Sequence, residues 1–101
     1  MQDNYTVRYL PIAEDDLLDI YDRIANEYPD KATEFANKLD KKIKNLASNP
    51  LLGRVTRDDK LSQYGYRFLV VGSYLVFYVI RDKTIEIHRI IHGSRNLNNI
   101  L

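Results

Sequence analysis

Two histidines, His88 and His92, sit in the run Ile87-His88-Arg89-Ile90-Ile91-His92. An unperturbed imidazole titrates at about pH 6.5, so such a ring can take up or release a proton near neutrality. His92 closes the apolar run and is the better placed for proton transfer. In its bland alternative, the ring satisfies backbone groups where the chain turns into its tail. His88 has no evident reacting partner and reads as structural or exposed. Tyr64, Tyr66, Tyr74 and Tyr78 have rings that can stack on nucleobases, although half-buried packing with the hydroxyl at the rim is the commoner use. Glu14, Asp15 and Asp16 form an acidic triplet with no histidine beside it to complete a metal site. They are expected in the first turn of a helix, where carboxylates complement the positive end of the dipole. Lys38, Lys41, Lys42 and Lys44, with Glu34 and Asp40 among them, read as a solvated helix face, with nucleic-acid contact as the rarer alternative.

These residues need a frame, and the last third of the chain supplies it. Tyr64–Val71, Tyr74–Ile80 and Ile85–His92 are runs rich in β-branched and aromatic residues, the types that pack well on a pleated surface. Gly72-Ser73 and Arg81-Asp82-Lys83 separate them. Breaks this short permit only antiparallel hairpins, because a parallel crossover needs a dozen or more residues. A three-stranded meander is therefore expected. Its middle run is apolar on both alternating faces and belongs in the sheet interior. In the third run Ile85 and Ile87 share a phase with Arg89 rather than Ile90. Either a bulge shifts the phase or Arg89 snorkels at the edge.

Upstream, Tyr5 to Leu10 alternates as a short strand, and Pro11 closes it at a helix entrance. Ala13, Leu17, Ile20, Tyr21, Ile24 and Tyr28 form one helical stripe; Ala32, Phe35, Ala36, Leu39, Ile43, Leu46 and Ala47 form another. Tyr28-Pro29-Asp30 breaks the pattern, with Asp30 as the expected N-cap of the second helix. That helix should stop before Asn49-Pro50. Two helices joined so tightly form an antiparallel hairpin. Leu51 to Gln63 reads as an exposed, mobile, polar loop.

The chain's 101 residues suit one α+β domain (1–101), ordered β-α-α-β-β-β, with the helical hairpin covering a mainly antiparallel sheet. No cysteine is present, which excludes disulfides and thiolate metal sites and fits a reducing cytoplasm. No apolar stretch approaches the ~20 residues that span a bilayer, and the N-terminus lacks a signal-peptide layout. Neither cofactor, metal nor membrane is expected. Residues 1–50 carry 7 Lys and Arg against 10 Asp and Glu, net −3; residues 51–101 carry 8 against 4, net +4. The basic C-terminal half favours an anionic target or an acidic partner there.

The order strand, helical hairpin, meander resembles the RelE/ParE toxins of type II toxin–antitoxin systems along essentially the whole chain. Its most specific parts are Gly65-Tyr66-Arg67, Gly72 to Tyr78, and Ile87 to Gly93, with Ala13, Asp16-Leu17, Ile20, Asn49-Pro50 and Gly53 upstream. The resemblance implies a cytoplasmic toxin held inactive by a cognate antitoxin protein. The antitoxin's C-terminal segment wraps the toxin, which reaches operator DNA only through it. An exposed apolar groove is expected to receive that segment.

The superfamily holds two chemistries. RelE-like members are ribosome-dependent nucleases that cut mRNA. Their sites gather Arg, Lys, Tyr, His or Glu to activate a 2′-hydroxyl, stabilise a pentacoordinate phosphate and protonate the leaving oxygen. Under that alternative His92 is the acid or base, and Arg67 and Arg95 neutralise the phosphate. ParE-like members inhibit DNA gyrase and lack the nuclease set. RelE has an arginine after the Gly-x pair that opens its central strand, and this chain has Tyr74. RelE also has a basic cluster after its last strand and a terminal tyrosine; here Arg95 remains and the end is Ile100-Leu101. The resemblance is therefore nearer the ParE-like branch, a binder of gyrase and no enzyme. Arg95, Leu97 and Ile100 in the tail, then Arg57 and Lys60 in the loop, are the expected target contacts. A member that binds antitoxin but has lost toxicity is the third alternative.

Overall fold

The computed structural model describes residues 4–94. Strand β1 (Thr6–Tyr9) is followed by α1 (Pro11–Glu27) and α2 (Pro29–Ser48). A 3₁₀ turn (Pro50–Leu52), a short strand β2 (Arg54–Val55) and a one-turn helix α3 (Asp59–Gln63) lead to β3 (Arg67–Val71), β4 (Tyr74–Arg81) and β5 (Thr84–His92). The strands form one five-stranded sheet in the order β1-β5-β4-β3-β2. Among these strands only β1 with β5 is parallel; the helical hairpin carries the chain from β1 at one sheet edge to β2 at the other, and β3, β4 and β5 return as an antiparallel meander to lie beside β1. β4 lies between β3 and β5, as its two apolar faces demand.

Prolines punctuate the helical hairpin. Pro11 opens α1 at a position whose N–H would be unpaired anyway. Tyr28 leaves helical geometry (φ −141°, ψ 83°) because Pro29 follows it, and Pro29 then opens α2. One residue thus ends one helix and admits the next. Asp30 lies inside the first turn of α2, and the cap position belongs to Tyr28, which makes no side-chain capping bond; the expected Asp30 N-cap is not formed. Asn49, before Pro50, closes α2 in the same manner as Tyr28 closes α1. No described helix is long and apolar enough to cross a membrane.

The core lies between the hairpin and one sheet face. Ala13 and Ile20 of α1, and Phe35, Leu39 and Leu46 of α2, meet Leu69, Val71, Val76, Tyr78, Ile85, Ile87 and Ile90. Phe77, Val79 and Ile91 are also buried, from the alternate face of their strands. Gly72 (φ 60°) and Asp82 (φ 55°) supply the positive φ at the two hairpin turns.

The phase conflict in β5 is resolved by a bulge. Phe77 pairs with Arg89 and the next residue, Tyr78, with Ile87, so His88 is the extra residue. Ile85, Ile87 and Ile90 thereby all reach the core. The Arg89 guanidinium donates to Asp16 of α1, from Nε at 2.7 Å and Nη2 at 3.0 Å, and the Ile90 N–H donates to the same carboxylate at 3.0 Å. Asp16 therefore fastens α1 to the bulge, beyond the dipole role expected of the acidic triplet; of that triplet only Glu14 lies in the first turn.

The expected mobile loop is a clamped segment instead. The Tyr78 hydroxyl donates to the Pro50 carbonyl at 2.8 Å and accepts from the Gly53 N–H at 2.9 Å. A Cβ at position 53 would lie 2.4 Å from that hydroxyl oxygen, so the close approach requires glycine. Arg67 Nη1 donates to the Gly53 carbonyl at 3.0 Å, and β2 pairs with β3 through Arg54–Phe68 and Val55–Arg67. Asp58 caps α3 by accepting from the Lys60 and Leu61 N–H groups, and Leu61 is buried.

Candidate functional site

The C-terminal end of β5 carries His92, opposite Tyr74 in the register. The Tyr74 ring stands edge-on to His92 at 5.4 Å and edge-on to Phe35 at 5.4 Å. Tyr74 therefore serves as a spacer between the core and the histidine. His92 Nδ1 accepts from the Ser94 N–H at 3.1 Å and lies 2.7 Å from the Ser94 hydroxyl. Holding an N–H acceptor on Nδ1 places the proton of the neutral ring on Nε2. His92 also borders a small cleft, about 80 Å³, shared with Asp16, Asp19, Arg23 and Tyr74.

Arg67 lies elsewhere. It pairs with Tyr78 on one flank of β4, whereas His92 pairs with Tyr74 on the other flank. Four residues of strand separate those registers, about 13 Å at roughly 3.3 Å per residue, before two strand spacings of about 4.8 Å are added. A general acid or base works within about 3 Å of the atom it serves. Arg67 and His92 do not converge, and the Arg67 side chain is engaged with Gly53. Arg57 and Lys60 are exposed on either side of the Asp58 cap. Arg95, Leu97 and Ile100 lie outside the described residues.

A polar chain that sequence reasoning missed runs across the sheet face away from the helices. Arg81 Nε donates to Glu86 Oε1 at 3.0 Å, His88 Nε2 lies 3.2 Å from the same oxygen, and the Tyr66 hydroxyl lies 2.8 Å from His88 Nδ1. A carboxylate only accepts, so the neutral His88 ring carries its proton on Nε2 and receives the Tyr66 O–H on Nδ1. The hydrogen bond from His88, then the Arg81 charge, hold the Glu86 carboxyl below the usual range. Burial pushes the Tyr66 phenol up. Glu86 extends the chain to Arg81 of β4, and His88 is thus a structural linker between β5 and Tyr66 at the entrance to β3. Its partners lie 22 and 2 residues away, and the second, at alternate-residue spacing on one strand face, was the one available signal. Beside this chain the same face is apolar, with Phe68 and Phe77 rings 5.7 Å apart.

Two further surfaces stand out. An apolar groove of about 390 Å³ runs along the helical hairpin between Tyr9, Leu17, Leu18, Tyr21, Ala36, Leu39, Asp40 and Ile43. Leu18 is 62% and Tyr21 40% exposed there, so both leave apolar surface open along the groove. A second cleft is lined by lysines of α2 and the β3–β4 turn. Among the described residues no group of three His, Cys, Asp or Glu side chains converges to hold a metal ion.

Comparison with known proteins places this geometry. The structure is similar to that of the chromosomal ParDE toxin–antitoxin system from P. aeruginosa, with a TM-score of 0.72 and 22% identity over 89% of this chain and 97% of the other. It is also similar to the toxin–antitoxin complex RelBE2 from Mycobacterium tuberculosis, with a TM-score of 0.63 and 26% identity over 94% and 98%. A search of curated protein sequences gave no match. The family described as the ParE toxin of the type II toxin–antitoxin system parDE matches residues 7–97. With nine-tenths of its length inside that match, the chain belongs to the ParE toxin family and is a RelE/ParE-type toxin of a type II toxin–antitoxin system.

Proposed function

We propose that this toxin acts in the cytoplasm on DNA gyrase, binding it and stabilising its cleaved-DNA complex, without catalysing a reaction itself. The observation that carries the reading is the separation of Arg67 from His92. An RNA-cleaving site needs a phosphate clamp and a proton-transfer group around one phosphodiester, and these two candidates sit on opposite flanks of β4. Tyr74 adds weight, since its ring is packed between Phe35 and His92. On the sheet face opposite the helices the Phe77 ring is buried against Phe68, which supports a packing use of that face. Target contact is assigned to Arg95, Leu97 and Ile100, supported by Arg57 and Lys60.

The hairpin groove suits the cognate antitoxin. Its open length between α1 and α2 matches an amphipathic helix laying an apolar face into a groove, with Leu18 and Tyr21 as the surface it would cover. The mRNA-cleaving alternative keeps one observation in its favour. His92 stands at a polar cleft with Asp19 and Arg23, and its Nε2 carries an available proton.

Induction of the toxin in growing cells separates these readings. Gyrase poisoning yields double-strand breaks and a DNA-damage response while messages stay intact. Prompt translation arrest with new mRNA ends inside codons, abolished by His92→Ala, assigns the nuclease instead. Normal growth after confirmed soluble expression assigns the non-toxic, antitoxin-binding alternative and sinks both toxic readings.

A further inference from the structure

The five lysines of α2 fall into two sets. Lys31 lies 3.3 Å from Glu34 and Lys44 3.0 Å from Asp40, so their charges are met within the helix. Lys38, Lys41 and Lys42 have no carboxylate within ion-pair distance among the described residues. All three line one open cleft of about 540 Å³, together with Asn45, Val70 and Gly72. Their spacing, with Asn45, is i, i+3, i+4 and i+7, which places them on one stripe about 10 Å long. The Lys42 ammonium donates to the Val70 carbonyl and so fixes that stripe against the β3–β4 turn.

The neighbouring helix has the opposite sign. α1 carries Glu14, Asp15, Asp16, Asp19, Asp22 and Glu27 against Arg23 alone. The hairpin is therefore polarised, and an anionic chain is drawn to the α2 stripe and repelled by α1. The stripe offers ammonium groups and an amide with Val70 as its one large apolar wall, which suits phosphates and gives an amphipathic peptide little to bury. The apolar groove between the helices is the better peptide site.

We infer that Lys38, Lys41 and Lys42, with Asn45, form a sequence-independent docking stripe for the phosphate backbone of duplex DNA. The choice of DNA over RNA rests on the gyrase reading; the stripe gives the toxin its own hold on the DNA that gyrase has cut. Three ammonium groups can each neutralise one backbone phosphate, and no base edge is read, so no operator sequence is recognised.

The test is fluorescence anisotropy of the purified full chain with a labelled duplex of arbitrary sequence, titrated at several salt concentrations. Three neutralised phosphates predict a log–log salt slope of about −2.7, which is an affinity loss of about 40-fold between roughly 50 and 200 mM salt. The double variant Lys38→Gln/Lys41→Gln leaves the Lys42 contact in place, and its slope should fall to about −0.9, a loss of about 3- to 4-fold over the same range. Unchanged circular dichroism and melting of the variant show that it folds. A variant slope equal to wild type, or no duplex binding at low salt, overturns the inference. So does tighter binding of single-stranded RNA than of duplex, or competition by polyglutamate as effective as by unlabelled duplex. Gyrase inhibition is scored separately. DNA binding with the predicted slope but no effect on gyrase removes the gyrase reading and keeps the stripe; gyrase poisoning without DNA binding removes the stripe and keeps the reading.

Discussion

Replacing Asp16 by asparagine probes the contact that ties the helical hairpin to the bulged part of β5. The carboxylate accepts two bonds from the Arg89 guanidinium and one from the Ile90 N–H, all between 2.7 and 3.0 Å. The Asp16 and Arg89 side chains are only 14% and 18% exposed. That exposure moves the pair away from the surface limit, where an ion pair contributes under about 1 kcal/mol, towards the buried limit, where breaking one partner costs about 3–5 kcal/mol. Asparagine keeps the shape and one acceptor oxygen, but it removes the charge and turns an NH₂ towards donors. Asp16→Asn should therefore destabilise the fold by about 2–3 kcal/mol. Urea unfolding at unchanged m value reads this directly. A double-mutant cycle with Arg89→Met should return a coupling of about 1–2 kcal/mol. A loss below about 0.5 kcal/mol with negligible coupling would refute the view that this pair holds α1 to the bulge.

Two further outcomes follow from Tyr78. Tyr78→Phe leaves the buried Gly53 N–H and the Pro50 carbonyl without their partner, and should cost about 1–3 kcal/mol in the same unfolding assay. Amide exchange at Gly53 should rise more than exchange in β4 if the hydroxyl clamps the 50–53 segment. Burial pushes the phenols of Tyr78, Tyr9 and Tyr66 above their ordinary value of 10.0. A raised folded-state value favours the protonated form in the fold, so stability is full below pH 10 and is lost as pH climbs through the folded-state values. Melting temperature measured from neutral pH upward should be flat and then decline above about pH 10, with a shallower decline in Tyr78→Phe; a fall beginning near neutrality would contradict the assignment.

The periodic parts of this fold were legible in the chain. The three closing strands and the two helical stripes follow from alternation and from spacing at 3 and 4 residues, and the prolines mark both ends of the hairpin. The bulge was half legible, since the phase of Arg89 against Ile90 demanded either a shift or a snorkelling side chain. What escaped was long-range pairing. Tyr78 fastens a segment 25 residues upstream and Arg89 reaches 73 residues back to Asp16, and neither leaves a periodic trace. The polar composition of 51–63 hid an ordered segment because much of its order comes from distant partners, the Tyr78 hydroxyl, the Arg67 guanidinium and β3, with Leu61 as its buried leucine. Asp58 before Asp59-Lys60-Leu61 was the available local signal, a capping residue followed by a short helix. At the candidate site, the place of His92 at the end of β5 was legible from the strand pattern. The Glu86–His88–Tyr66 chain was not, because it joins β5 to a residue 22 positions upstream, just before β3.

The central claim is that this family member poisons gyrase and cleaves no RNA. Its most direct test is incubation of the purified toxin with purified gyrase and supercoiled plasmid, followed by detergent and protease treatment, beside a translating ribosome reaction with a defined message. Accumulation of linear plasmid that requires gyrase and is prevented by the cognate antitoxin, with the message left intact, is the predicted result. Unaltered supercoiling with the message cut at the ribosome would contradict it.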